Sequence, residues 1–309
     1  MRFFSFNLRQ FILQFDPALG YGLHDKIIGG LIFDACQKRI VRFPTPSAHI
    51  ILIMKILLSL LFIFSTLVTF ADHHGKKKPL KAFMITGGCC HDYPKQKNII
   101  SEGISERVPT KWDIFFEMDE KKSKARLNKK SWADGYDYIV YNHCFAHEKD
   151  AEFVKSIADI HKTGKPAIAL HCAMHSYHWS IPAKEGEKKA WPEMLGASSK
   201  GHGPKAAITV NKVKKHANHP IMKDMPDGWL TPEGELYNVQ EVYEGTTVLA
   251  YGDNGNDKRP NEPQACAWIN THGKGRIFST TLGHHNSTMS TQEYLDMLGN
   301  AVRWVTGQK

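Results

Sequence analysis

Between residues 81 and 170, short apolar runs alternate with stretches of helical pattern, and that alternation leaves few folds open. The first run is 81–86, closed by Gly87 and Gly88; a helix is expected from about Pro94 to Val108, with Ile99, Ile100, Ile104 and Val108 at helical spacing. Residues 112–118 form the second run, and a basic, weakly helical stretch leads to the third, 136–142, which ends in His143 and Cys144. Residues 148–162 are amphipathic, with Phe153, Ile157 and Ile160 on one face and Gly164 as the stop. After Lys165 and Pro166 comes a fourth run, 167–170, apolar on both faces as a buried parallel strand must be. Three strand–helix units ahead of it make a doubly wound, mostly parallel sheet with helices on both faces the economical α/β fold.

The ends of these runs carry reactive groups. The first leads into His91, Asp92 and Tyr93, the third into His143, Cys144 and His147, and the fourth into His171, Cys172, His175, Ser176 and Tyr177. A later run, 276–282, leads into Gly283, His284 and His285. In open α/β sheets the ligand crevice lies beyond the carboxyl ends of the strands. Four histidine-bearing ends on one edge therefore mark a site, with His171 at its centre. Such imidazoles could hold a divalent metal, although no His-x-His or His-Glu-x-x-His spacing supports one and no cofactor is certain. Cys172 follows His171 at a strand-to-helix turn, where a nucleophile would stand, but the turn lacks the flanking glycines of an elbow, and a buried inert thiol fits equally.

Beyond residue 177 the pattern is less regular. Residues 177–200 read as a loop with a short helix at 191–195; 206–213, 235–239 and 246–251 read as strands; 265–270 and 276–281 form a hairpin; and 291–305 is a last amphipathic helix. Glu233 and Glu235 lie two apart, so on a strand they share a face, and Glu235 can act as acid, base or partner of a histidine, with Tyr237 beside it.

Of the net charge of +9, residues 1–71 hold seven of the 40 Lys/Arg and only three of the 31 Asp/Glu, which leaves a net +5 spread over the other 238 residues, as on a solvated surface. Lysine runs such as 76–78 and 121–124 lack interleaved aromatics, which argues against nucleic acid as a partner. Residues 54–71 have the three parts of a secretory signal: Met54 and Lys55, an apolar core, and Thr69-Phe70-Ala71 before Asp72. The expectation is an exported, periplasmic or extracellular protein, with residues 1–53 an upstream extension or misassigned start, 72–79 a linker, and one domain over 80–309. The rival is a membrane anchor, since residues 50–70 are long enough to span a bilayer; the membrane is then a partner only through this segment. Five cysteines follow (Cys89, Cys90, Cys144, Cys172 and Cys266) without the spacing of a disulfide framework or zinc ribbon.

Five motifs in order carry a resemblance. They are Thr86-Gly87-Gly88-x-x-His91-Asp92-Tyr93; Leu170-His171-Cys172-Ala173-Met174-His175-Ser176-Tyr177; His219-Pro220-Ile221; Glu235-Leu236-Tyr237; and Gly273-Lys274-Gly275-Arg276-Ile277-Phe278-x-x-Thr281-Leu282-Gly283-His284. As a set covering nearly all of 80–309 they resemble the ThuA-like, or trehalose-utilisation, family. The resemblance implies a class I glutamine amidotransferase-like fold with a flavodoxin-like sheet, and a link to trehalose and related disaccharides through oxidised (keto) sugars. True amidotransferases of that fold carry a Gly-x-Cys-x-Gly elbow and a His-x-Glu pair. Here His171 stands at the elbow position with Cys172 one residue late, and Ile221 stands where the glutamate would be, so glutaminase activity is not expected.

The resulting expectation is acid–base chemistry on a small saccharide. His171, Cys172, His175, His143, Glu235 and His284 are the candidate catalytic groups, and His91, Asp92, Tyr93, Tyr177, Tyr237 and His285 the candidate substrate contacts. The alternatives are a non-catalytic sugar-binding or accessory protein, with Tyr177, Trp179, Trp191 and Trp229 as stacking faces, and a metal-dependent hydrolase.

Overall fold

The computed structural model describes residues 49, 52–53, 55–59, 78–184, 188–255 and 263–308. The chain divides into Met1–His74 and Gly75–Lys309. Most of the hydrophobic segment 54–71 and of the upstream residues lies outside the described residues; among those described, no helix is long and apolar enough to cross a membrane.

From Leu80 onward, strands and helices alternate: β1 (Leu80–Gly88), α1 (Tyr93–Arg107), β2 (Thr110–Glu117), α2 (Glu120–Leu127), β3 (Tyr138–Cys144), α3 (Ala151–Lys162) and β4 (Ala167–Leu170). A 3-10 turn, His171–His175, follows β4 directly and leads to α4 (Ala190–Leu195). The second half is strand-rich, with β5 (Ala197–Lys205), β6 (Thr209–Lys212), β7 (Trp229–Leu230), β8 (Glu235–Val242), β9 (Thr247–Asp253), β10 (Gln264–His272) and β11 (Gly275–Thr280). Two helices close the chain, α5 (Asn286–Met289) and α6 (Gln292–Thr306).

The sheet is mixed. Its order is β2-β1-β3-β4-β11-β10-β9-β6-β7, while β5 and β8 pair with each other apart from it. Strands β2, β1, β3, β4 and β11 run parallel, whereas β10, β9, β6 and β7 continue the sheet by antiparallel pairing. Alternating side chains feed two cores. Ala82, Met84, Tyr138, Val140, Ile168 and Leu170 face one side with Ile100 and Ile104 of α1 and Leu298 and Val302 of α6. Phe83, Ile85, Ile139, Tyr141, Ala167 and Ala169 face the other with Phe153 and Ile157 of α3 and Trp191 of α4. The register sets the carboxyl ends level: Gly88 lies opposite Cys144, and Leu170 opposite Thr280.

Two departures from the sequence pattern have local causes. Helix α3 starts at Ala151 rather than Glu148 because the Asp150 carboxylate accepts the Phe153 N–H at 3.0 Å and so caps it, a contact of about 1 kcal/mol. Strand β5 falls in what reads as a loop, because Gly201, Gly203 and Pro204 hide it; it exists through its irregular pairing with β8.

Candidate functional site

The site begins with two glycines. Gly87 and Gly88 have φ of +135° and +88°, and a Cβ on them would stand 1.7 Å from the Glu117 oxygen and 2.2 Å from the Cys144 oxygen. Only glycine allows β1 to end this close against β2 and β3. The chain then turns through Cys89, Cys90 (φ +85°) and His91 over the sheet edge.

At the end of β4, Leu170 is still extended, but His171 has φ +42° and the 3-10 turn starts there. A non-glycine residue in the left-handed region at a strand-to-helix corner is strained, as the nucleophile of an elbow is. The turn is held from behind: the Trp191 indole N–H, fully buried, donates to the Ala173 oxygen at 2.7 Å. The Nδ1 of His171 donates to the Thr281 oxygen at 2.5 Å, which turns its Nε2 toward Glu235.

Glu235, the first residue of β8, is buried beside three imidazoles. Its oxygens lie 3.4 Å from His171 Nε2, 3.4 Å from His202 Nδ1 and 3.4 Å from His284 Nε2. Burial pushes this carboxyl up, but the His171 imidazole beside it, with those of His284 and His202, outweighs burial and holds it at about 2. Burial pushes His284 down to about 3, and His171 adds to the effect. At neutral pH the centre is thus a carboxylate facing a neutral His284.

A cavity of about 540 Å³ opens on this cluster, lined by His91, His175, His202, Glu235, Tyr237 and His284 on one side and by Cys89, Cys90, Cys144 and Cys172 on another. The Cys89 and Cys144 sulfurs are 3.7 Å apart. Cys144 hydrogen-bonds the Cys172 sulfur and holds that thiol down at about 4, against burial, with the His91 and His171 imidazoles nearby. His175 stacks on Tyr237 at 4.0 Å between ring centres and on Trp179 at 4.5 Å, and Trp179 is 47% exposed.

The candidates from sequence are therefore distributed as follows. His91, Cys172, His175, Glu235, Tyr237 and His284 line the cavity, and His171 sits immediately behind Glu235, 1% exposed. Asp92 and His285 line an adjoining hollow of about 440 Å³, which shares Cys90, His91 and His284 with the cavity, together with Asn286, whose amide donates to Asp92 at 2.8 Å. Tyr93 is buried against Cys144 and Cys172. His143 and Tyr177 pack together in the interior with Phe145 and Trp191, and burial holds His143 down at about 3. Alternation along β3 explains this placement: Ile139, Tyr141 and His143 share the core face, which leaves Cys144 for the site. Trp191 and Trp229 are buried as well, so Trp179 alone of the four expected stacking faces is exposed. His219 packs on Trp304 and is not among the residues that line the cavity.

His202 is the residue that sequence reasoning missed. It lies on β5 between two glycines and reaches Glu235 only because β5 pairs with β8.

These features define an α/β protein with a cavity at the carboxyl edge of its parallel strands, lined by a carboxylate–imidazole cluster and by thiols. The family model for ThuA, trehalose utilisation, matches residues 82–305, and the chain belongs to that family. A ThuA-like protein from Bacteroides uniformis superposes with a TM-score of 0.57 at 15% identity, over 76% of this chain and 94% of that one. A cold-adapted β-galactosidase from Rahnella aligns at a TM-score of 0.47 and 11% identity, over 75% of this chain and 32% of that one. A cytoplasmic protein from Salmonella typhimurium gives 0.46 and 11%, over 73% and 99%. No curated protein matches the chain.

Proposed function

We propose that the protein acts on a small saccharide, a disaccharide of the trehalose kind or its oxidised keto form, by acid–base chemistry centred on Glu235. The observation that carries this reading is a buried carboxylate with three imidazoles at 3.4 Å, in the wall of a 540 Å³ cavity. Glu235, His202 and His284 face the cavity and exchange protons with the sugar; His171, locked by Thr281, positions Glu235 from behind. Family membership supplies the sugar class, and the parallel order β2-β1-β3-β4-β11 supports the flavodoxin-like, amidotransferase-like reading of the fold. Product analysis on a panel of disaccharides and their 3-keto forms tests it. Glu235→Gln is expected to abolish turnover, and a variant as active as the parent overturns the assignment.

A non-catalytic sugar-binding role is the second reading, favoured by the exposed face of Trp179 next to the His175–Tyr237 stack. Calorimetric binding of a saccharide with no product formed selects it. Export through residues 54–71 belongs to the same proposal, and N-terminal sequencing of the secreted protein should begin at Asp72.

A further inference from the structure

We propose that His91, His171, His284 and Glu235 form a binding site for one divalent first-row transition cation of the zinc class. The inference rests on the reading of this cavity as the working site, and it names the group around which that site is built.

The three imidazoles come from the ends of β1, β4 and β11, and each offers a ring nitrogen within 4.8 Å of the others. Among the described residues, His171 Nε2, His284 Nδ1 and both ring nitrogens of His91 are buried without a hydrogen-bond partner. Buried polar atoms are ordinarily paired, and four orphans on three touching rings need a common explanation. The rings cluster edge to face, His91 to His284 at 4.6 Å and to His171 at 5.0 Å between centres, so the three imidazoles share one small volume.

His171 shows the second-shell bond typical of a metal ligand. Its Nδ1–H is fixed on a backbone carbonyl, so Nε2 points away from Thr281 and toward Glu235, free to serve as the ligand atom. The Glu235 oxygens lie 3.4 Å from the Nε2 atoms of His171 and of His284, too far for ordinary hydrogen bonds. Ligand atoms at about 2.0–2.1 Å from a tetrahedral ion stand roughly 3.3 Å from one another, which is close to the spacing of His171 Nε2 from Glu235 Oε2. The carboxylate also supplies the negative charge that a buried cation requires. Imidazole and carboxylate donors suit zinc, manganese, iron or cobalt rather than a soft monovalent ion. Such an ion would draw the hydroxyl or keto oxygens of a sugar. Proton transfer would then fall to His202 and to whatever freedom Glu235 keeps.

The competing cluster is Cys89, Cys90 and Cys144, whose sulfurs also lie within 4.8 Å of one another. Cys89 and Cys90 are exposed, and Cys89 already bonds Cys144, so the orphaned atoms point to the imidazoles instead.

The test uses the full chain, stripped with a chelator and titrated with Co²⁺ and Zn²⁺, with calorimetry and visible absorption as readouts. One ion per chain is expected, with the d–d bands of a nitrogen–oxygen site and no thiolate-to-cobalt charge-transfer band. His91→Ala and His284→Ala should each weaken binding roughly 100-fold or more, while Cys89→Ser leaves it unchanged. Absence of binding at micromolar ion overturns the proposal, and so does a charge-transfer band removed by Cys89→Ser. Should an alanine variant fail to fold, the cobalt spectrum of the parent protein decides alone. Stoichiometric binding without sugar turnover keeps the ion and sinks the catalytic reading of the cavity; turnover unchanged in the stripped protein, with no ion bound, does the reverse.

Discussion

The Nδ1 of His171 donates to the carbonyl oxygen of Thr281 at 2.5 Å, joining the ends of β4 and β11 across 110 residues of sequence. That one bond sets the tautomer of the most constrained residue in the site. Its backbone φ of +42° suits asparagine far better than alanine. His171→Asn is therefore expected to melt within a few degrees of the parent but to lose turnover by roughly 100-fold or more, since the nitrogen facing Glu235 is gone. His171→Ala should lose turnover and, with the Thr281 bond gone, roughly 0.5–1.5 kcal/mol of stability. Thermal melts beside product assays separate the two, and full turnover in His171→Asn removes His171 from the mechanism.

Trp179 offers the exposed aromatic face in the wall of the cavity. If a sugar ring stacks there, the contact exists in the bound ground state and in the transition state alike, and its loss is a loss of uniform binding. Trp179→Ala should raise KM roughly three- to tenfold, the value of one ring contact, with kcat unchanged. A fall in kcat at constant KM would show that Trp179 orders the site rather than gripping the sugar.

The approach of the β1 end to β3 depends on Gly88. A methyl group there meets the Cys144 oxygen at 2.2 Å in a backbone of φ +88°. Gly135 has a similar φ of +77° but open space around its Cβ position. Gly135→Ala should cost roughly 1 kcal/mol from backbone strain alone, and Gly88→Ala at least about 2 kcal/mol more, because the Cys89–His91 turn must move. Urea unfolding of the two variants measures the difference; equal costs would mean that the turn gives way freely.

How much of this could be read from the chain alone depends on whether a contact is local. The runs ending at Gly88, Cys144 and Leu170 are legible because apolar runs broken by glycine and proline signal buried strands at any position, and the carboxyl-edge rule then brings His91, His171 and His284 together. The direction of each side chain is less legible. His143 looks equivalent to His171 in sequence, yet it faces the core, because strand alternation sends it to the side of Tyr141 while the next residue, Cys144, takes the site. His202 is invisible because its strand has no pattern of its own and exists through pairing with β8. Cys172 reads in sequence as either nucleophile or inert thiol, and the bond from Cys144 that favours its thiolate crosses from β3 to the turn after β4.

The buried histidines away from the cavity make stability depend on pH. His161 is fully buried, its Nδ1–H donating to the Lys165 oxygen at 2.7 Å while its Nε2 accepts from the Tyr141 hydroxyl at 2.9 Å. Burial pushes it down to about 4, and burial alone pushes His143 to about 3. In the unfolded chain both titrate near 6.5. Between those values the unfolded state takes up protons that the folded state refuses, so stability rises with pH in this window. The contribution is complete above about pH 6.5 and falls as the pH drops toward the folded values, by on the order of 3 kcal/mol for His161 alone. Urea unfolding at pH 8, 6 and 4.5 should show this decline before most carboxylates protonate. His143→Leu, which replaces a ring without hydrogen-bond partners among Tyr141, Phe145 and Trp191, should flatten the decline while changing stability at pH 8 by less than about 1.5 kcal/mol. A parent protein equally stable at pH 8 and pH 4.5 would mean that these imidazoles reach water and bind protons in the folded state.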